Sequence, residues 1–138
     1  MSKKDCPFCK IVSGDVPVRK LVEGRHTIAI LDATPATLGH TLIITKKHHD
    51  DITTMSLEEM SEVAEQQLML IPAIGAVTAC SAFNLIGNSG ALAGQVVMHA
   101  HFHIIPRYEE DGLVMEFPKA DIGDEEKDEL AELIRDHI

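Results

Sequence analysis

Short apolar, β-branched runs bounded by turn-prone polar stretches recur along this chain. "HTIAIL" and "GHTLIIT" are rich in β-branched residues and are separated by the turn-prone "DATPATLG", a pattern that predicts an antiparallel pair joined by a long loop. "AFNLIG", a loop from Asn88 to Gln95 and "VVMHAHFHII" predict two more strands. Between these pairs the period changes. Met60, Val63, Ala64, Leu68 and Ile71 recur at helical spacing, which predicts a helix with one face in the core. Ser56 and Glu59 form an S-x-x-E capping box at its start, and Met55 and Met60 occupy the positions of a hydrophobic staple. Pro72 lacks a backbone donor and is expected to kink or break the helix. The chain closes with "DEEKDELAELIRDHI", which places Leu130, Leu133, Ile134 and Ile138 on one side of a second helix. With no repeat and no linker-like tract, the pattern reads as one α+β domain over residues 1–138.

Charge narrows the range of partners. Twenty-two acidic against 12 basic side chains give a formal charge of −10, which repels a polyphosphate backbone and points away from nucleic acid toward a small ligand or a protein. From Gln66 to Pro106 there is no Asp, Glu, Lys or Arg, and "LMLIPAIGAVTACSAFNLIG" has about the length of a membrane span. Pro72, Gly75, Ser81 and Asn84 interrupt it and no basic cluster flanks it, so a buried helix running into a buried strand is expected, without a membrane. Three cysteines are too few for a disulfide framework, and "MSKKDCPFCK" holds no apolar run of signal-peptide type. An intracellular, cytoplasmic, reduced protein is the expectation.

The candidate chemistry lies in "HAHFHIIPR", where His99, His101 and His103 alternate with Ala100, Phe102 and Ile104. On a strand the three imidazoles share one face at spacings of ~6.5–7 Å, while the apolar residues between them anchor the other face. Two chemistries want such a row: metal ligation by imidazole, and nucleophilic attack by one imidazole supported by another. Spacing alone leaves both open. His26, His49 and His137 stand singly and read as hydrogen-bonded structural residues. Cys6 and Cys9 form C-x-x-C, and with no strand before them to build a thioredoxin-type site, a zinc half-site is favoured; it needs two further ligands. Cys80 reads as a small core residue.

The triad segment fits H-φ-H-φ-H-φ-φ and resembles the histidine-triad (HIT) family of nucleotide hydrolases and transferases, with "HFHIIPR" similar to its prokaryotic Hint-type branch. "CPFCKIVSGDVP", "ILDATPATLGHTLIITKKHH" and "NLIGNSGALAGQVVMHAHFHIIPR" extend the likeness over most of the chain. The resemblance implies an antiparallel sheet of about five strands with two main helices, in a homodimer. It implies that His101 attacks the α-phosphorus of a nucleotide to form a covalent nucleotidyl-imidazole, and that His103 contacts the phosphoryl oxygens. It places Asn88, Gly94 and Gln95 in the phosphate-side loop, Asp32 at the ribose, Phe8, Ile11, Val16 and Ile30 around the base, and His40 in a supporting role. It also supplies the missing zinc ligands, so that Cys6, Cys9, His48 and His99 would hold one structural zinc per chain.

The function implied is hydrolysis of a nucleoside 5′-phosphoramidate or a related nucleotidyl bond, purine preferred. Two alternatives are a dinucleoside polyphosphate hydrolase and a nucleotide-binding regulatory module with little turnover; a metallohydrolase with the triad as ligands is a third. Two departures from the family pattern stand out. Val96 occupies the place where many Hint-type members carry a serine near the leaving group, and Thr45 stands where proline usually precedes the "K-x-H" of the zinc segment.

Overall fold

The structure, a computed structural model, describes residues 3–138. Strands β1 (Lys20–Glu23), β2 (Thr27–Leu31), β3 (Thr41–Thr45), β4 (Ala82–Gly87) and β5 (His101–Arg107) form one sheet in the order β1-β2-β3-β5-β4, and every neighbouring pair is antiparallel. Three helices accompany it: a short α1 (Pro7–Val12) and the two main helices α2 (Leu57–Thr78) and α3 (Asp124–Asp136). The expected α+β architecture, with five strands and two main helices, is the one the chain adopts.

Period-two alternation divides the two faces of the sheet. Ala29, Ile43, Phe102 and Ile104 turn to one face and pack against Val63, Leu70 and Ile74 of α2. Ile28, Ile30, Leu42 and Ile44 turn to the other, against Cys6 and Phe8 of the N-terminal segment. Register fixes this division. Ile43 lies opposite Phe102 while Leu42 and Ile44 lie opposite His103 and His101, so the triad's reactive side belongs to the α1 face. Burying Phe102 and Ile104 under α2, at roughly 1.5–3 kcal/mol each, holds the strand whose other edge presents histidines.

Helix α2 starts as its sequence predicts. Ser56 Oγ accepts from the Glu59 backbone N–H at 3.1 Å, and Glu59 Oε2 accepts from the Ser56 N–H at 2.7 Å. Met55 and Met60 both pack against the core beneath it. Two expectations are corrected. The helix runs unbroken through Pro72 for 22 residues. Pro72 and Leu68, whose carbonyl loses its donor, both lie on the solvent side, with Leu68 78% exposed, so that carbonyl faces water rather than the core. The core stripe is Val63, Gln66, Leu70 and Ile74; Ala64 and Leu68 point outward. Apolar residues surround this helix on nearly all sides, and its phase is decided by what the sheet offers.

Two further differences concern the second half. The run "VVMHAHFHII" becomes regular strand only at His101; before it, Ala100 is pinned by its N–H to the His49 carbonyl (2.7 Å) and by its carbonyl to the Thr45 N–H (3.3 Å). Helix α3 forms, but Leu130, Leu133 and Ile134 remain 50–57% exposed, so its apolar side is not a core face. Among the described residues no helix is long and apolar enough to cross a membrane.

Candidate active site and metal centre

His101 sits on β5 with its Nδ1 2.7 Å from the backbone carbonyl of His99. A carbonyl can only accept, so the ring proton is on Nδ1 and the Nε2 lone pair is free. Burial pushes its pKa below the ordinary imidazole value, against the hydrogen bond to His99 and the charge of Asp32, which raise it. The ring is therefore neutral near pH 7. Phe8, brought in by α1, meets it edge-on with ring centroids 4.8 Å apart, which fixes its plane.

A second chain of hydrogen bonds sets the tautomer of His103. The Ala36 backbone N–H donates to His40 Nδ1 at 2.9 Å, so the proton of neutral His40 is on Nε2. That Nε2 lies 2.9 Å from His103 Nδ1, which must accept, leaving His103 with its proton on Nε2. Burial, with His101 and His40 nearby, lowers the His103 pKa to about 4, so it stays a neutral donor. The Asp32 carboxylate, 3.5 Å from His40 Nε2, adds negative charge beside the pair. His101 thus offers a lone pair and His103 a proton from the same face of one strand, with ring centroids 5.1 Å apart.

The loop after β4 borders His101 on the other side. Asn88, Ser89, Gly87 and Ile52 line a small recess with His101, about 40 Å³ in volume. Gly90 and Gly94 have φ of +91° and +93°, a region that a β-carbon disfavours, so the loop can turn here without strain. Gln95 is turned inward: its Oε1 accepts from the Gly90 N–H at 2.8 Å, and its Nε2 donates to the carbonyls of Asp50 (2.6 Å) and Val97 (2.9 Å). Its side chain braces the loop. Of the four apolar positions, Phe8 and Ile30 are buried, Ile11 is half-buried and packs on the same cluster, and Val16 is 40% exposed. Asp32 Oδ1 also accepts from the Thr34 N–H, closing a tight turn at the end of β2.

The predicted metal ligands converge. Cys6 Sγ lies 3.3 Å from His99 Nδ1, Cys9 Sγ lies 3.2 Å from His48 Nδ1, and the four donor atoms of Cys6, Cys9, His48 and His99 all fall within 4.8 Å of one another. The tautomers fit a metal. His99 Nε2–H donates to the Thr45 carbonyl at 2.7 Å and His48 Nε2–H to Asp50 Oδ1 at 2.9 Å, so both Nδ1 lone pairs point inward. Burial lowers His99 to about 4, which keeps it neutral. Burial and the neighbouring Cys6 raise Cys9 to about 11, so the Cys9 thiol holds its proton unless a cation replaces it. Thr45 also gives its unusual place a reason: its N–H and its hydroxyl both reach the Ala100 carbonyl at 3.3 Å, and a proline could supply neither bond.

A second cluster, Asp32, His40 and His103, does not fit a metal. His40 Nδ1 already accepts from the backbone, so its Nε2 carries the proton and has no lone pair to offer. His101 belongs to neither cluster, and the triad does not form a ligand set of its own. Two supporting residues were not singled out from sequence, Ala36, whose N–H sets the His40 tautomer, and Asp50, two residues after the candidate ligand His48; Glu59, read from sequence only as a capping-box residue, also accepts from His49 Nε2 at 3.0 Å. Only Asp50 had a readable signal, a carboxylate beside the ligand His48. His49 is satisfied as expected for a lone structural histidine.

A family model for the HIT domain matches residues 13–110. An adenosine 5′-monophosphoramidase of Schizosaccharomyces pombe is 39% identical over 134 residues, covering 96% of this chain and 98% of that protein. The crystal structure of a HIT family protein from Bacillus anthracis superposes with a TM-score of 0.91 at 35% identity, covering 97% of each chain. A Zn-bound histidine triad family protein from Mycobacterium smegmatis superposes with a TM-score of 0.75 at 32% identity, covering 97% of this chain and 99% of that one. Matched by the family's domain over most of its length and sharing the fold of solved members, this chain belongs to the HIT family.

Proposed function

We propose that the protein hydrolyses nucleoside 5′-phosphoramidates or closely related nucleotidyl compounds, purine preferred, by covalent catalysis at His101. The observation that carries this reading is the 2.7 Å bond from His101 Nδ1–H to the His99 carbonyl, which leaves Nε2 as an unprotonated nucleophile on a rigid strand. Nε2 attacks the α-phosphorus, the P–N bond breaks, and the amine leaves with a proton taken from the site or from solvent. Water then attacks the nucleotidyl-imidazole, which releases the nucleoside monophosphate and restores His101. His103 Nε2–H donates to a phosphoryl oxygen as charge develops there. Asn88 and the backbone around Gly94 and Gln95 approach the same phosphate from the loop. Asp32 accepts from the ribose hydroxyls, and Phe8, Ile11, Val16 and Ile30 form the apolar surround of the base.

The relative of named monophosphoramidase activity supports this substrate class over dinucleoside polyphosphates. So does the absence of Lys and Arg from Gln66 to Pro106, since a long polyphosphate needs more positive charge than this strand and loop offer. Cys6, Cys9, His48 and His99 would hold one zinc per chain. A zinc ion there would supply a structural crosslink between the N-terminal segment and the triad strand, and the Zn-bound relative supports zinc binding. The active protein is proposed to be a homodimer.

The test is a panel of nucleotidyl amidates and dinucleoside polyphosphates with the wild-type chain and His101→Ala. The expected result is turnover of the amidates by the wild type, with the variant folded, able to bind nucleoside monophosphate and nearly inactive. A variant retaining more than roughly a tenth of the rate would remove His101 as nucleophile.

A further inference from the structure

Gln95 is a buried amide with no hydrogen left to give. It is 4% exposed, at the end of a loop whose residues 91–94 are all exposed. Its two Nε2 hydrogens go to the carbonyls of Asp50 (2.6 Å) and Val97 (2.9 Å), and its Oε1 accepts from the Gly90 N–H (2.8 Å). The reverse orientation is excluded, because Oε1 would then face two carbonyl oxygens and Nε2 an N–H. An amide committed in this way has no donor for a phosphate oxygen. Its side chain serves the loop instead.

The Asp50 carbonyl that Gln95 reaches belongs to the segment carrying a candidate zinc ligand. Residues 48–52 lie between that cluster and the recess beside His101, and successive groups face both ways. His48 turns Nδ1 to the Cys9 thiol at 3.2 Å, and its Nε2–H donates to the Asp50 carboxylate at 2.9 Å. The Asp50 carbonyl accepts from Gln95, and Ile52 stands in the wall of the recess with Asn88, Ser89 and His101. Asp50, Ile52, Thr53 and Thr54 are exposed, so burial does little to order this segment, and the hold on His48 matters more. The loop depends on Gln95 in the same way. Gly90 gives its N–H to Gln95 Oε1 and takes the Gln95 N–H on its carbonyl at 3.2 Å, so one residue closes the loop and ties it to Asp50.

We infer that Gln95 is a positioning residue that couples the two sites. When Cys6, Cys9, His48 and His99 hold a metal, residues 48–50 are fixed, and the Asp50 carbonyl, through the Gln95 amide, fixes the phosphate-side loop at Gly90. Metal loading then raises nucleotide affinity, and by linkage nucleotide raises metal affinity by the same factor. The inference rests on the zinc ligation and the nucleotide site proposed above and adds a link that neither requires. A second route bypasses Gln95: the His49 carbonyl accepts from the Ala100 N–H at 2.7 Å, and the His99 carbonyl from His101 Nδ1–H. Changing Gln95 alone separates the two routes.

The test uses the zinc-loaded full-length chain with AMP as the probe. Zinc affinity is measured by equilibrium competition with a chelator of known strength, with and without saturating AMP, in the wild type and in Gln95→Met, which keeps the side chain's length and loses its hydrogen bonds. AMP is expected to tighten zinc binding about fivefold or more in the wild type, and the factor should fall toward one in the variant. Amide hydrogen exchange gives a readout without nucleotide: Gly90 should exchange about tenfold faster once the metal is removed, with circular dichroism checking that the metal-free chain is folded. Should Gln95→Met not fold, Gln95→Glu takes its place, since it keeps an acceptor for Gly90 and loses the amide donors. The same factor in wild type and variant would overturn the relay, because linkage through β5 or through the stability of the whole fold survives the substitution. AMP that binds without changing zinc affinity, with Gly90 exchange indifferent to metal, would overturn the coupling and leave both sites standing. A chain that binds zinc but no AMP would instead remove the nucleotide site, and the coupling with it.

Discussion

His40 donates to His103 across 2.9 Å, and because His40 itself accepts from the Ala36 N–H, one backbone amide decides where the proton of His103 sits. His40→Ala should therefore lower kcat by about tenfold or more while changing KM little, because His103 loses its fixed tautomer but the surface that binds nucleotide is kept. Equal losses in kcat and 1/KM would assign His40 to binding instead.

The burial of His103 has a pH signature. The His103 pKa is held at about 4, against about 6.5 in an unfolded chain, so between these values the unfolded chain takes up a proton that the folded one does not. Its contribution to stability is whole above pH 6.5 and is lost as pH falls toward 4. Imidazole nitrogen chemical shifts should show His103 neutral and protonated at Nε2 at pH 6. Denaturant unfolding at pH 7 and pH 5 should show a smaller stability loss in His103→Gln than in the wild type. A His103 ring that titrates near 6.5 would contradict both.

At the proposed metal centre the carboxylate of Asp50 orients His48 from behind, at 2.9 Å. Asp50→Ala is expected to weaken zinc binding roughly 10–100-fold without removing a ligand. Because Cys9 holds its proton up to about 11 without metal, loading the site should release protons measurable in unbuffered solution. Chelation should lower the melting temperature more than it lowers the rate of molecules still folded. Proton-neutral loading would argue against thiolate ligation.

His49 and Glu59 tie the start of α2 to the segment that carries the triad, since the carbonyl of His49 also accepts from the Ala100 N–H. Both residues are buried, at 4% and 6% exposure. Glu59→Ala removes one partner of a buried pair and half of a capping box, so it should cost about 3 kcal/mol or more by chemical denaturation. Glu59→Gln keeps a bonding group in place and should cost clearly less.

How far these features could be read beforehand depended on whether they were local. Ser56 and Glu59 settle the start of α2 within four residues, and alternation from Ala100 to Ile104 settles which side of β5 holds histidines; both are properties of neighbouring residues. The phase of α2 is not. With Ala64, Leu68, Leu70 and Ile74 all apolar, only packing against Ile43 and Phe102 chooses Leu70 and Ile74 over Leu68. Pro72 survives because the carbonyl it deprives faces water, which again depends on that phase. At the site, the residues proposed to carry chemistry were legible through the triad and C-x-x-C, whereas the groups that set the tautomers of His40, His99 and His101, the Ala36 N–H and the carbonyls of Thr45 and His99, are backbone atoms and leave no mark on the sequence.

Val96 tests the site's handling of the leaving group. It is 87% exposed beside the loop that borders His101, and it offers methyl groups where the family resemblance implies a hydroxyl. An amine needs a proton as its bond to phosphorus breaks, so a site lacking that donor should respond more steeply to leaving-group pKa. Val96→Ser is expected to raise the rate with an alkylamine leaving group more than with a phenol-like one, with nucleotide affinity nearly unchanged. Because the side chain is so exposed, the substitution should cost little stability, within about 0.5 kcal/mol, which separates a chemical effect from damage to the fold. The deciding quantity is the ratio of rates for two leaving groups on the same nucleotide, measured in both forms of the protein. If that ratio does not move, residue 96 has no part in proton delivery, and the proton must come from His103, from solvent or from the leaving group itself.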